Sequence, residues 1–381
     1  MDLPCRPRKK FCPSHQKTLN GNMRIIFIVA ISLCAVFAVA SPAAEIDFSK
    51  ADAQIQQWID AHAYPGAGLW ITDTNGLTLH EHYWNGYTRE TTVMIASSTK
   101  WLEAACLMTL VDAGKLDLDQ PISIYLPELK NSPAGENTLR EMFAHTSSLN
   151  HIAINDTLGT DTFPAQLAAG KTDVKPGQEF LYGGTDLATG SRIIEIVAGK
   201  PWLTVFGENI ARPCRMKKTV SGHNLWTYSN IVGGDLFPCS DAADYMNFLQ
   251  MILHDGVFDG QRVLSATAIR EMEADQIRVA TVKQPEYPEL TFGQKHKSVY
   301  GLGEWRLMLD EKGEAIVLSS PSFAGFFPWV DKKHGIAGVF VGRSTGGSPG
   351  FDAFHDSAKI AKLVGEAMDS SAAISTTNAV K

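Results

Sequence analysis

The chain has 381 residues, a formal net charge of −7 and 44% hydrophobic residues. That length suits a leader followed by one large domain or two intimate ones. The acidic balance, with no basic run beyond the leader and no aromatic–basic interleaving, argues against nucleic acid and anionic membranes as partners.

Residues 1–44 read as a leader. Met23-Arg24 precedes the apolar run Ile25 to Val39, and Ala38-Val39-Ala40 supplies the small residues of a cleavage site after Ala40. Translation from Met23 suits this signal better than translation from Met1. The run is short for a membrane span, and Leu33 before Cys34 departs from the small residue of a lipid-attachment site. Removing the leader takes away six basic residues and one acid, so the net charge becomes −12. A secreted or periplasmic location is expected. Three cysteines remain. Cys106 lies in an apolar helix and reads as a buried small hydrophobe. Cys214 and Cys239 flank a loop-rich stretch and are candidates for a disulfide in an oxidising compartment.

Ile46 to Ala63 reads as an amphipathic helix ending before Tyr64-Pro65-Gly66. Gly68 to Thr72 and Leu77 to His80 read as strands joined by a turn at Asn75-Gly76. His80-Glu81-His82 is the nearest approach to a metal pattern, and its alternation reads as an exposed strand face. The helix that begins near Ser97 is apolar around its whole circumference, through Trp101, Leu102, Ala104, Ala105, Leu107, Met108 and Val111, so it is a buried one. Gly114 is its expected C-terminal stop. From about 117 to 290 the chain is mainly helix and loop, with helices at Leu139 to His145, Thr185 to Ala198, Trp202 to Ala211, Ser240 to Leu253 and Ser265 to Met272. Strands return at Leu302 to Leu309, Ala315 to Leu318, Phe326 to Val330 and Ile336 to Val341. A closing helix spans Phe354 to Met368, and 370–381 is expected to be a disordered tail. The order predicts an α/β architecture in the α+β sense: one antiparallel sheet built from both chain ends, flanked by helices, with a mainly helical insertion, all within one domain at 45–369.

Ser97-Ser98-Thr99-Lys100 carries the chemistry. A hydroxyl and an amine three residues apart share a helix face, so a neutral Lys100 amine can serve Ser97 as general base. The pattern alone is weak, because Ser14-His15-Gln16-Lys17 also matches it and Ser97 also suits an N-cap. A start at the head of a buried helix, with backbone N–H groups facing outward, favours stabilisation of negative charge.

Several stretches in order make the chain resemble the serine hydrolases of the class C β-lactamase and penicillin-binding-protein family. Ser97-Ser98-Thr99-Lys100 is similar to the nucleophile motif. Gly114-Lys115-Leu116-Asp117 to Ile122 is similar to the connection that follows it. His145-Thr146-Ser147-Ser148-Leu149 resembles His-Thr-Ser-Gly-Leu with Ser148 in place of Gly. Pro176-Gly177, Phe180 and Tyr182 resemble the approach to the catalytic tyrosine, and Tyr300-Gly301-Leu302-Gly303 and Ser319 to Trp329 resemble the final strands. The resemblance covers almost all of the chain beyond the leader. It implies a β-lactamase/transpeptidase-like fold, catalytic Ser97, Lys100 and Tyr182, and no metal or organic cofactor. The third motif falls at Ser320-Pro321-Ser322, so the backbone N–H groups of Ser97 and Phe323 form the implied oxyanion hole.

Two departures bear on substrate. The family's Tyr-x-Asn is Tyr182-Gly183-Gly184 here, so Gly184 lacks the amide that holds a β-lactam or peptide. Ser320-Pro321-Ser322 lacks the cation of Lys-Thr-Gly, leaving Ser320 as the polar side chain at that place. Each lost polar contact costs about 1–3 kcal/mol of recognition. The expectation is therefore hydrolysis of an ester or small amide through an acyl-enzyme. The alternatives are a β-lactamase or D-Ala-D-Ala carboxypeptidase, and a non-catalytic binding protein on the same scaffold. Gly346-Gly347-Ser348-Pro349-Gly350 matches a nucleophile elbow, but Pro349-Gly350 breaks the helix that must follow, and too little chain remains to supply Asp and His.

Overall fold

The computed structural model describes residues 46–154, 163–220, 238–283, 292–346 and 351–379. The expected leader with its cleavage site, and Ser348, lie outside them. Helix α1 (Ser49–Asp60) opens the described chain, followed by strands β1 (Ala67–Asp73) and β2 (Thr78–Trp84). Their turn forms as expected: Gly76 takes φ +74°, and Asp73 Oδ1 accepts from the N–H groups of Asn75 and Leu77, both at 2.8 Å. β3 (Val93–Met94) leads into α2 (Thr99–Asp112). α2 ends in a Schellman motif at Gly114 (φ +66°), where Lys115 N–H donates to Leu110 O at 2.9 Å and Gly114 N–H to Val111 O at 2.9 Å.

The insertion carries α3 (Leu139–Phe143), α4 (Phe163–Ala169), β4 (Glu179–Phe180), α5 (Thr185–Ala198), α6 (Trp202–Phe206), β5 (Cys239–Ser240), α7 (Ala242–Leu253), the hairpin β6 (Val257–Phe258) and β7 (Gln261–Arg262), α8 (Ala266–Glu273) and β8 (Thr281–Val282). Then come β9 (Trp305–Leu309), β10 (Ala315–Ser319), β11 (Phe327–Asp331) and β12 (Ile336–Gly342), the single turn α9 (Ala353–Asp356) and α10 (Lys359–Ala379). The sheet has the order β2-β1-β12-β11-β10-β9 and is antiparallel at every pairing. β1 and β12 pair from Ala67–Gly342 to Asp73–Ile336. Both chain ends therefore meet at the centre of one sheet, as their apolar runs require once both faces are covered.

Strand alternation divides the core. Leu69, Ile71, Trp329 and Phe340 pack with Ile55 and Trp58 of α1 and Ile360 and Val364 of α10. Trp70, Val330, Val339 and Val341 pack with α2 and α7 on the other face. Among the described residues, no helix is long and apolar enough to cross a membrane.

Two expectations are corrected. The 370–381 segment was expected to be disordered, but α10 continues to Ala379. After Gly365 there is neither Gly nor Pro to stop it. Lys333 Nζ and His334 Nε2 hold Asp369 at 2.6 and 3.0 Å, anchoring the helix midway. The Cys214–Cys239 disulfide does not form; both thiols are free. Cys214 is sealed in the core beyond α6, and burial pushes its thiol up to about 12. Cys239 lies on β5, where its backbone pairs with Val220 and Met94.

Gly338 on β12 lies opposite Trp329, and a Cβ there would fall 2.1 Å from the indole Cζ2. Trp329 is fully buried and cannot swing aside. Gly338→Ala is therefore expected to destabilise the protein by about 1–3 kcal/mol through overpacking. Equilibrium urea unfolding checks this.

Candidate active site

Ser97 sits in a tight 3₁₀ turn (Ala96–Ser98) that runs directly into α2. The residue before it, Ala96, takes φ +36°. Left-handed backbone at a side-chain-bearing residue is strained, and such strain persists only where neighbours enforce it. Here three hydrogen bonds do so. Ser98 Oγ donates to Ser320 O at 2.5 Å, Ser320 Oγ donates to Ser97 O at 3.0 Å, and Tyr245 OH from α7 donates to Ser98 O at 2.6 Å. The Ser97-Ser98 turn is thereby clasped to the end of β10.

Lys100 lies one turn on, 2% exposed within a helix buried on all sides. Its Nζ donates to Ser97 Oγ at 3.3 Å. The same Nζ stands 4.5 Å from the centroid of the Tyr182 ring, a cation–π contact. Tyr182 follows β4 and is half-buried, its ring 4.7 Å from His145 and 5.3 Å from Trp305. Tyr182, distant along the chain from the Ser97–Lys100 turn, thus joins it in one cluster.

Behind the cluster lies buried acid. Asp186, in the first turn of α5, is fully buried. Burial pushes its carboxyl well above the usual carboxylate range, while the Ser147 hydroxyl bond and the Lys100 charge oppose that rise. Ser147 Oγ donates to Asp186 Oδ1, and Asn150 Nδ2 donates to Oδ2 at 2.7 Å. His145 Nδ1 stands 3.5 Å from Oδ2. The His145-Thr146-Ser147-Ser148 stretch therefore supports α5 and the Tyr182 loop. Glu304 is also fully buried, and burial together with the nearby Glu273 raises its carboxyl well above normal.

Three other expected positions fall around the cluster. Phe323 is 64% exposed, in a turn closed by Ser322 N–H to Phe326 O at 2.9 Å and Gly325 N–H to Ser322 O at 3.0 Å. Among the described residues its own N–H meets no protein acceptor. Gly184 is the N-cap of α5. Ser320 differs from expectation. It is 1% exposed and its hydroxyl is taken up by the Ser97 carbonyl, so it touches the nucleophile turn rather than open substrate space.

Sequence reasoning missed Asp186, Asn150, Tyr245 and the clasp by Ser98 and Ser320. Asp186 carried one signal: an acid in the first turn of a helix directly after Tyr182-Gly183-Gly184, which also reads as ordinary helix-dipole complementation.

Comparison with known proteins places the fold and the sequence in a family. The Beta-lactamase family model matches residues 51–362. A solved candidate β-lactamase from Bacteroides dorei DSM 17855 is 32% identical, with a TM-score of 0.76 over 85% of this chain and 99% of its own. The D-alanyl-D-alanine-carboxypeptidase/endopeptidase AmpH of Escherichia coli K12 is 28% identical over 217 residues, 50% of this chain and 54% of AmpH. Penicillin-binding protein 4 of Amycolatopsis lactamdurans is 26% identical over 245 residues, 54% of this chain and 64% of its own. With the family matched over most of its length and the antiparallel sheet, inserted helices and Ser–Lys turn in place, this chain belongs to the Beta-lactamase family.

Proposed function

We propose that the protein is a secreted or periplasmic serine hydrolase that cleaves an ester or small amide through an acyl-enzyme on Ser97. The observation that carries this reading is the 3.3 Å contact between Lys100 Nζ and Ser97 Oγ at the head of a buried helix. In the first half-reaction, Ser97 Oγ attacks the substrate carbonyl while Lys100, as the neutral amine, takes the hydroxyl proton. The carbonyl oxygen gains negative charge, which the N–H groups of Ser97 and Phe323 hold. The Tyr182 hydroxyl, whose ring packs on the Lys100 amine, relays the proton to the leaving oxygen or nitrogen, and the bond to it breaks. Water then attacks the acyl carbonyl, gives its proton back along the same path, and the acid departs as Ser97 regains its hydrogen. No metal or organic cofactor has a part in these steps.

The substrate class rests on what the site lacks. Gly184 offers no amide, and Ser320-Pro321-Ser322 offers no cation, with Ser320 already engaged by Ser97. A short acyl ester needs neither contact. The carboxypeptidase reading draws support from the similarity to AmpH, a D-alanyl-D-alanine-carboxypeptidase/endopeptidase, and the two readings separate on substrate preference.

Three results are expected. A fluorophosphonate should add once, at Ser97, by intact mass and peptide mapping. Labelling elsewhere, or undiminished hydrolysis by Ser97→Ala, excludes the mechanism, and no labelling points to the non-catalytic reading. Lys100→Arg keeps the charge but cannot deprotonate, so single-turnover acylation by a chromogenic ester should fall by at least about 10²-fold. Short acyl esters should show higher kcat/KM than penicillins, cephalosporins or D-Ala-D-Ala peptides. A β-lactam or peptide turned over at about 10⁴ M⁻¹s⁻¹ or faster, with esters slower, favours the alternative.

A further inference from the structure

On the sheet face opposite α2, a second group of side chains converges. Successive even positions of β2 place His80, His82 and Trp84 on the side covered by α1. Asp52, in the first turn of α1, reaches across to both histidines. Its Oδ1 stands 2.8 Å from His80 Nε2, and its Oδ2 stands 2.9 Å from His82 Nδ1. One donor atom from each of the three residues lies within 4.8 Å of the other two. Glu81, between the histidines, is not part of the set. It points to the other face and pairs with Arg89, which lies over Trp70.

We infer that Asp52, His80 and His82 form a binding site for a divalent metal ion of the zinc class. Two imidazole nitrogens and one carboxylate oxygen are a donor set that zinc takes, at about 2.0–2.2 Å from each atom, with a fourth position left for water. Tetrahedral coordination at those lengths sets the donors about 3.4 Å apart, so the two Asp52–histidine contacts, now made through different carboxylate oxygens, open by about half an ångström as one oxygen takes the metal, and the ring nitrogens, already within 4.8 Å, settle at that spacing. The set carries one negative charge when both rings are neutral. Among the described residues no lysine or arginine forms an ion pair with Asp52 that would compete with a cation. The rings are held in place by their neighbours. His82 is stacked on Trp84 with centroids 4.0 Å apart, and His80 packs on Phe48 at 5.0 Å. The His82 side chain is 46% exposed, which supplies an entry path and room for the water. A metal here joins α1 to β2, the edge strand of the sheet, and its role is to hold that edge. It lies on the opposite face from the α2 side of the core, so it is separate from the Ser97 chemistry.

The test is titration of the chelator-treated mature protein with Co²⁺, followed by visible absorption, and with Zn²⁺, followed by calorimetry. One equivalent of Co²⁺ should bind with tetrahedral or five-coordinate d–d bands, Zn²⁺ should displace it, and Zn²⁺ should raise the Tm. His82→Ala, at the exposed position, should abolish the bands and the Tm shift, with unchanged circular dichroism confirming the fold. Asp52→Asn keeps the side-chain size and an acceptor but removes the charge, and should weaken binding by at least about tenfold. Absence of saturable binding in the wild type overturns the proposal and leaves an ordinary hydrogen-bonded Asp–His–His cluster. Equal binding by the wild type and by His82→Ala and Asp52→Asn overturns it as well.

Discussion

The pair of hydrogen bonds between Ser320 and the Ser97-Ser98 turn is the constraint on which the candidate site depends. Ser98 gives its hydroxyl to the Ser320 carbonyl, and Ser320 gives its own to the Ser97 carbonyl. These two bonds splice the start of α2 to the end of β10, partners more than two hundred residues apart in the chain. They also offset a local cost. Ala96 at φ +36° is a strain of order 1–3 kcal/mol, and each buried hydrogen bond returns about 1 kcal/mol. Together with the Tyr245 hydroxyl on Ser98 O, the bonds hold the turn in a conformation that an isolated peptide avoids. In this turn Ser97 Oγ accepts from Lys100 Nζ at 3.3 Å, and Ser98, not Ser97, stands at the N-cap of α2.

A buried lysine then has to be reconciled with its surroundings. α2 is buried on nearly every side, yet it holds Lys100 and, one turn later, the fully buried Glu103. An unpaired charge in such a place is too costly to survive. Lys100 has the electron-rich face of Tyr182 over its amine and the Asp186 carboxyl in electrostatic contact. Asp186 is in turn satisfied by Ser147 and Asn150. On the mechanism proposed above, a proton moving among Ser97, Lys100 and Tyr182 would stay within this paired set. The His145-Thr146-Ser147-Ser148 stretch meets this cluster through Asp186.

Much of the fold was legible because local signals and tertiary packing agree. Thr185–Ala198 is a helix over the range its apolar period and the following Gly199 indicate. β10 to β12 lie where β-branched and aromatic runs alternate with turns. Ser97 with Lys100 was legible because a helix fixes i and i+3 on one face. What could not be read depends on distance through space. Nothing near Ser320 in sequence shows that its hydroxyl is taken by Ser97, and nothing near His80 shows that Asp52 of α1 meets it. Cys214 and Cys239 share an expected compartment, but the fold sends one thiol into the core beyond α6 and the other onto a short strand. The tail was misread through composition alone: serine, alanine and threonine read as disorder, although an uninterrupted stretch of them extends a helix already begun and already tied down at Asp369.

The double glycine after Tyr182 follows from the same packing. A Cβ at Gly183 would fall 2.6 Å from Cγ of Asn150, so the Asn150 side chain occupies the place where any larger residue at 183 would sit. Asn150 cannot withdraw cheaply. Its Nδ2 donates to Leu181 O at 2.8 Å and to Asp186 at 2.7 Å, and its Oδ1 accepts from the Asp186 N–H at 3.3 Å. Those bonds join the loop before Tyr182 to the helix after it. The chain thus uses an asparagine from the 149–151 turn to brace the tyrosine loop from behind, and keeps 183 empty to admit it. Gly184 then caps α5 without a side chain of its own. With no side chain at 183 or 184, this loop offers an incoming molecule no side-chain polar contact from either position, which is the feature behind the proposal of compact acyl substrates.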